Sequence, residues 1–265
     1  MGEVIVITSG KGGVGKTTVT ANLSVSLSLL GKKVIAIDTD IGLRNLDVVM
    51  GLENSIVYNI VDVIEGNCRL KQAIIRDKRF RNLYLLPSAQ SKDKSCINQY
   101  QMINLTNELK QKFDYVLIDC PAGIEQGFKN AIAGATRAII VTTPEVSAIR
   151  DADRVSCLLD KAGLYPINLI VNKIRNDLVK KGDMMSTDDV TEILSLDLIG
   201  MIHDDTDIVI STNRGEPLAG ANSYSSKIFM NIAKRIDGEE VPMLNHKNRK
   251  FNFFKKYLTG GFQNV

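Results

Sequence analysis

Residues 10–17 read Gly10-Lys11-Gly12-Gly13-Val14-Gly15-Lys16-Thr17, with Thr18 next. The spacing is G-x-x-x-x-G-K-[ST], the pattern of a loop that cradles phosphates. Glycines let consecutive backbone N–H groups turn inward around phosphate oxygens, and a helix starting at Lys16 adds partial positive charge. Lys16 then faces the β- and γ-phosphates, and the Thr17 hydroxyl faces Mg²⁺. The expected ligand is a nucleoside triphosphate with Mg²⁺, held by Gly10, Lys11, Gly12, Gly13, Val14, Gly15, Lys16, Thr17 and Thr18. The same glycines also fit a dinucleotide fingerprint, Gly10-x-Gly12-x-x-Gly15, with Asp38 where a ribose-binding acid would stand. That rival explains the glycines but leaves Lys16-Thr17 without a task.

Two further motifs bring carboxylates. Asp38-Thr39-Asp40-Ile41-Gly42-Leu43-Arg44-Asn45-Leu46-Asp47 leaves one apolar run, and Tyr115-Val116-Leu117-Ile118-Asp119 is another, followed by Cys120-Pro121-Ala122-Gly123. An aspartate at a strand end can hold Mg²⁺ through a water, as expected of Asp119, and Gly123 can follow a γ-phosphate by backbone movement. A single aspartate there would read equally as a helix cap. Two such motifs beside a phosphate loop favour chemistry.

Lys11 is not required by an ordinary phosphate loop. With it, the sequence resembles the deviant Walker A family of P-loop ATPases, the ParA/MinD family. The strings I-G-L-R-N-L-D (41–47), D-C-P-A-G-I-E (119–125) and P-E-V-S-A-I-R-D-A-D-R (144–154) are similar to its MinD branch, the septum-site-determining ATPases. The D-P-Q-type switch I typical of ParA relatives is missing. The resemblance implies ATP as the nucleotide and an ATP-bound homodimer in which Lys11 reaches the partner's phosphates. It makes Asp40 the residue that orients or activates the attacking water, with Asp38 behind it, and it gives Asn172 an adenine contact. Lys11, Lys16 and Asp40 are thus the expected catalytic set. Arg44, Asn45, Asp47, Glu53, Arg150, Asp151, Asp153 and Arg154 are candidates to face a partner, with local ion pairs the equal alternative. Further implied partners are a MinC-like division inhibitor, a MinE-like activator and a membrane surface. The implied location is the cytoplasmic face of an inner membrane, or a plastid stroma and inner envelope. One departure is His203, where the family usually has proline after the Gly-x-Ile strand.

These motifs need a scaffold that presents them at one edge. Val- and Ile-rich runs at 4–8, 33–38, 83–87, 115–119, 138–142, 168–172 and 196–202 read as strands. Helical periodicity appears at 16–30, 99–112, 147–162 and 223–236. Alternation of apolar strands with helices predicts an α/β fold with a doubly wound, mostly parallel sheet, whose ligands bind at the carboxyl ends of the strands. The polar stretch 90–98 reads as a loop. Residues 1–240 form the expected ATPase domain, 241–248 a linker and 249–265 a terminal segment.

Composition narrows the setting. The longest apolar run is strand-sized, so no spanning helix is expected. The chain enters a β-branched run at once, with no secretory pattern. Met1-Gly2 does not make a myristoylation motif, because Val6 stands where Ser or Thr is needed. Cys68, Cys96, Cys120 and Cys157 are widely spread, which suits reduced thiols and not a zinc or iron–sulfur site. The net charge is +3, yet Lys247, Arg249, Lys250, Lys255 and Lys256 lie after Met243 with no acidic residue among them. The body is therefore slightly acidic and the basic character belongs to the tail, which argues for an anionic partner there.

Half of the eight phenylalanines also fall in the last fifteen residues. On a helix, Phe251, Phe254 and Leu258 share one face, with Phe253 and Tyr257 beside it and Lys255 and Lys256 opposite. An aromatic face against a basic one predicts an amphipathic helix that lies on anionic lipid. The competing readings are a last helix packed on the body and a disordered basic tail. The rival functions are a ParA-like DNA-segregation ATPase, a small-molecule kinase and a dinucleotide oxidoreductase. A DNA-binding ATPase would spread basic residues over its body, so no specific nucleic acid is expected.

Overall fold

The computed structural model describes residues 1–92 and 96–244. Its strands are β1 (Glu3–Thr8), β2 (Val34–Asp38), β3 (Ile75–Arg76), β4 (Leu83–Leu86), β5 (Tyr115–Asp119), β6 (Arg137–Thr142), β7 (Ile167–Ile174) and β8 (Asp197–His203). They form one sheet in the order β3-β4-β2-β5-β1-β6-β7-β8. All pairings are parallel except β3 with β4, a two-residue antiparallel edge. The helices are α1 (Lys16–Leu29), α2 (Leu46–Val49), α3 (Ile60–Ile64), α4 (Leu70–Ala73), α5 (Gln99–Leu109), α6 (Gln126–Ala133), α7 (Val146–Lys161), α8 (Asn176–Lys181), α9 (Thr187–Leu194), α10 (Thr206–Asn213) and α11 (Tyr224–Ile236). The expected doubly wound, mostly parallel α/β architecture is present.

Side chains alternate across the sheet with the strand period of two. Val4 and Val6 of β1 join Val116, Ile118, Ala138 and Ile140 under α5, α6 and α7. Ile5 and Ile7 turn the other way, joining Leu117, Ile139 and Val141 beneath α1 and α11. Two separate cores result, one on each face, and the central strands are buried on both. At about 25 cal/mol per Å² of apolar surface removed from water, this burial fixes the strand ends firmly. The ends of β1, β2 and β5 stand side by side, because Ile7 and Asp38 both pair with Asp119.

α11 is the last helix of the described residues. Its C-cap, Asp237, accepts a hydrogen bond from the Tyr115 hydroxyl at 2.9 Å and pairs with Lys32 at 2.7 Å. Residues 241–244 are not helical, and they lie against the body. The Arg235 Nε donates to the Val241 carbonyl at 3.1 Å, and the Tyr224 hydroxyl donates to the Leu244 carbonyl at 3.3 Å. Leu244 itself packs on the core beneath α1 and α11. The proposed lipid-facing residues Phe251, Phe253, Phe254, Lys255, Lys256, Tyr257 and Leu258 lie outside the described residues. Among the described residues no helix is long and apolar enough to cross a membrane.

Candidate nucleotide site

The loop from β1 into α1 is built for close approach. Gly13 and Gly15 take φ of 78° and 97°, left-handed values that L side chains rarely adopt. Gly15 is the N-cap of α1 and supplies no side-chain cap, so the helix's first N–H groups are left to a ligand. Gly10 is needed for a different reason. A Cβ there would strike the backbone of Asp151 in α7. The Ser9 hydroxyl donates to the Lys11 carbonyl at 2.8 Å, which pins the start of the turn.

Asn172 and Lys173, at the end of β7, brace the loop from below. The Asn172 amide Nδ2 donates to the Val14 carbonyl at 2.8 Å, and the Lys173 Nζ donates to the Gly13 carbonyl at 2.7 Å. Lys173 holds φ at 57°, a conformation unusual for a side-chain-bearing residue. Sequence reasoning missed Lys173, since nothing in an isolated lysine signals contact with a loop 160 positions earlier.

Asp119 and Asp38 end adjacent strands and are both buried. Thr20 donates to the Asp119 carboxylate at 3.2 Å, and Thr17 also hydrogen-bonds it. Burial pushes the Asp119 carboxyl above its ordinary range, opposed by the Thr17 bond, the charge of Lys16 and the Thr20 bond. Asp38 is also pushed up, first by burial and then by the charge of Asp119. The Asp38 carboxylate accepts backbone N–H groups from Asp40 at 2.9 Å and from Asn45 and Leu46 at 3.1 Å each. It is engaged in shaping its own loop, which is not the task of a ribose-binding acid. Asp40 is half-buried, and its charge reaches both Asp38 and Asp119.

Lys16, Thr17, Asp40 and Asp119 thus gather at one end of the sheet, as their spacing predicts. Lys11 projects from the loop and pairs within its own chain, with Glu145 Oε2 at 3.2 Å and Ser147 Oγ at 3.1 Å, at the start of α7. Of the candidate partner-facing residues, Asn45, Glu53, Arg150, Asp153 and Arg154 are exposed, and Arg44 and Asp151 are half-buried. Asp47 is not: it is fully buried and pairs with Arg44 Nε at 2.9 Å, the local ion pair.

A cavity of about 350 Å³ continues from Gly13, Gly15, Lys16, Thr17 and Thr18 toward Asn172, His203, Ile208, Val209 and Thr212. The cradle and this chamber together suit a triphosphate with its base, and the Thr17 hydroxyl with the buried Asp119 carboxylate suits a hydrated Mg²⁺. A wider, open hollow of about 760 Å³ lies at the amino ends of β1 and β5, lined by Lys32, Lys110, Lys112 and Asp237. It contains no residue of the phosphate loop, whereas the smaller cavity is lined by Gly13, Gly15, Lys16, Thr17 and Thr18, so the chemistry belongs to the smaller cavity.

A family model described as an AAA domain matches residues 2–161. The septum site-determining protein MinD of Bacillus subtilis (strain 168) is 57% identical over 246 residues, covering 92% of this chain and 92% of that protein. The MinC:MinD cell division protein complex of Aquifex aeolicus matches with a TM-score of 0.86 at 46% identity, over 92% of this chain and 99% of that chain. MinD of Pyrococcus horikoshii OT3, complexed with Mg-ADP, matches with a TM-score of 0.82 at 34% identity, over 89% of this chain and 96% of that one. With the phosphate loop, both carboxylate motifs and the sheet order in place, this chain belongs to the MinD septum site-determining branch of the ParA/MinD family of P-loop ATPases.

Proposed function

We propose that this chain hydrolyses MgATP and uses the nucleotide to switch between a free monomer and a membrane-bound homodimer that helps to place the division septum. The observation that carries the reading is the cluster of Lys16, Thr17, Asp40 and Asp119 at the mouth of a glycine cradle. Lys16 and the α1 N-terminus stabilise charge on the phosphates, and Thr17 and Asp119 hold Mg²⁺. Mg²⁺ supplies neutralisation of the phosphate oxygens. Asp40 orients the attacking water and takes its proton, while Asp38 keeps the Asp40 loop in register. Asn172, backed against Gly15, stands at the passage from phosphates to base.

Lys11 acts across the dimer seam. To reach a second copy's phosphates it must leave Glu145 and Ser147, so a triphosphate on the facing copy competes with these groups for the ammonium. The dimer recruits a MinC-like inhibitor, in keeping with the Aquifex complex, and a MinE-like activator triggers hydrolysis and release. Membrane contact is made by the tail bearing Phe251, Phe253, Phe254, Lys255, Lys256, Tyr257 and Leu258.

The test is co-sedimentation of the full chain with vesicles containing anionic lipid, with MgATP, MgADP or no nucleotide, alongside phosphate release. Sedimentation that depends on ATP, with slow phosphate release, is expected. Sedimentation equal in all three conditions would remove the nucleotide switch.

A further inference from the structure

The loop that carries Asp40 is held at its two ends by different groups. At its start the Asp38 carboxylate accepts the N–H groups of Asp40, Asn45 and Leu46. At its far end α2 runs for only four residues and stops at its C-cap, Met50. A helix this short makes too few internal hydrogen bonds to hold its own place. The backbone at Met50 is fixed from outside the loop.

That hold comes from the β3 edge of the sheet. Arg79, between β3 and β4, donates from Nη2 to the Met50 carbonyl and from Nη1 to the Gly215 carbonyl at 3.0 Å. Asp77, buried, orients the guanidinium: its Oδ1 accepts Arg79 Nε at 3.1 Å and its Oδ2 accepts Nη2 at 2.7 Å, a two-pronged pair. The same Oδ1 accepts the Arg79 backbone N–H at 2.8 Å, which locks the fork to its own turn. The two bridged carbonyls belong to turns that touch backbone to backbone. Gly51 and Gly215 take φ of 64° and 65°, and a Cβ on either would strike the other. Gly215 follows α10, whose Ile208, Val209, Thr212 and Asn213 line the nucleotide cavity. One planar cation thus joins the end of the Asp40 loop to the end of a helix in the cavity wall.

We propose that Arg79 is a positioning residue for hydrolysis. By bridging the Met50 and Gly215 carbonyls it keeps the Asp40 loop in register with α10, so that the water-orienting carboxylate is correctly placed when the cavity is filled. Arg79 itself lies outside the cavity lining. The inference rests on reading Asp40 as the group that orients the attacking water. Lysine is no equivalent here, because an ammonium is a point charge and cannot span a carboxylate and two carbonyls in one plane.

The experiment is single-turnover phosphate release by the full chain at saturating MgATP, with calorimetric titration of MgADP and thermal melts on the same samples. Arg79→Met, which keeps the stem and loses the fork, is expected to slow hydrolysis about tenfold while MgADP affinity stays within about twofold of wild type. Arg79→Lys should recover only part of the rate, and it carries the test if the methionine variant unfolds. In an Asp40→Ala background Arg79→Met should cost nothing further, since the group it positions is gone. The assignment is overturned by an unchanged rate in a folded Arg79 variant, or by rate and MgADP affinity falling in equal measure. It is overturned equally if the variant costs as much with Asp40 absent as with Asp40 present. An Asp40→Ala chain that hydrolyses ATP at the wild-type rate would instead remove the reading of Asp40, and this assignment with it.

Discussion

Asp38 and Asp119 face each other in register at the ends of β2 and β5, buried, with the charge of Asp40 added to the group. Burial holds both carboxyls above their ordinary range, so the ligand-free site binds a proton that the unfolded chain gives up. A raised carboxyl stabilises the fold fully at low pH, and that contribution is lost as pH rises from the ordinary carboxylate range toward neutrality. Thermal unfolding of ligand-free chain should therefore show stability falling through that interval, and MgATP should flatten the slope by favouring the ionised form. Calorimetry in buffers of different ionisation enthalpy checks the same point, since MgATP binding near neutral pH should release protons. A heat independent of buffer would contradict it. Asp40 has a separable role. Asp40→Ala should bind MgATP normally and lose roughly 10²-fold or more in turnover, because only the orientation and proton transfer of the water are removed. Turnover within about threefold of wild type, measured by phosphate release, would move the base elsewhere.

At the scale of elements, α7 does two things for the loop: its backbone at Asp151 packs on Gly10, and its start receives Lys11. Gly10→Ala forces a Cβ into backbone that cannot rotate away. A loss of about 1–3 kcal/mol in stability, together with weaker nucleotide binding, is expected in denaturant titration. Glu145→Ala frees Lys11 and should lower the ATP concentration needed to dimerise, whereas Lys11→Ala should abolish dimerisation while ATP still binds. Analytical ultracentrifugation reads both, and a Lys11 variant that dimerises normally would sink the role across the seam. Much of this was legible from sequence because phosphate and metal chemistry demands fixed residue types in short runs, the central strands are short apolar runs, and α5, α7 and α11 show a helical period. The rest depends on juxtaposition. The two residues of β3 and the four of α2 are too short to carry a period. The burial of Asp47 under Arg44 looks, in sequence, like any exposed charge beside a loop. The brace from Lys173 exists only once β7 lies alongside the loop.

For the whole molecule, the proposed membrane cycle makes pairing act through the tails. One short amphipathic segment holds lipid weakly. Two on one dimer hold it well, because the second meets the surface at high effective concentration once the first is bound. Phe254→Glu should abolish vesicle binding in every nucleotide state, and fusing residues 245–265 to an unrelated constitutive dimer should give binding without ATP. Failure of that fusion on vesicles that hold the ATP-bound chain would mean that nucleotide acts on the tail directly. The tie between the Tyr224 hydroxyl and the Leu244 carbonyl also sets an altitude. A chain advances at most about 3.6 Å per residue, so the five steps from Leu244 to Arg249 cover no more than about 18 Å. In the proposed membrane-bound dimer the body would ride within that standoff of the lipid, and the two anchor points would be spaced by protein rather than by slack. A Gly/Ser spacer of about twenty residues after Leu244 should leave single-tail partitioning unchanged and cost the dimer's advantage on the order of tenfold, by diluting the second tail over a larger volume. In that proposed dimer the short tether would make a pair of weak feet behave as one firm stance.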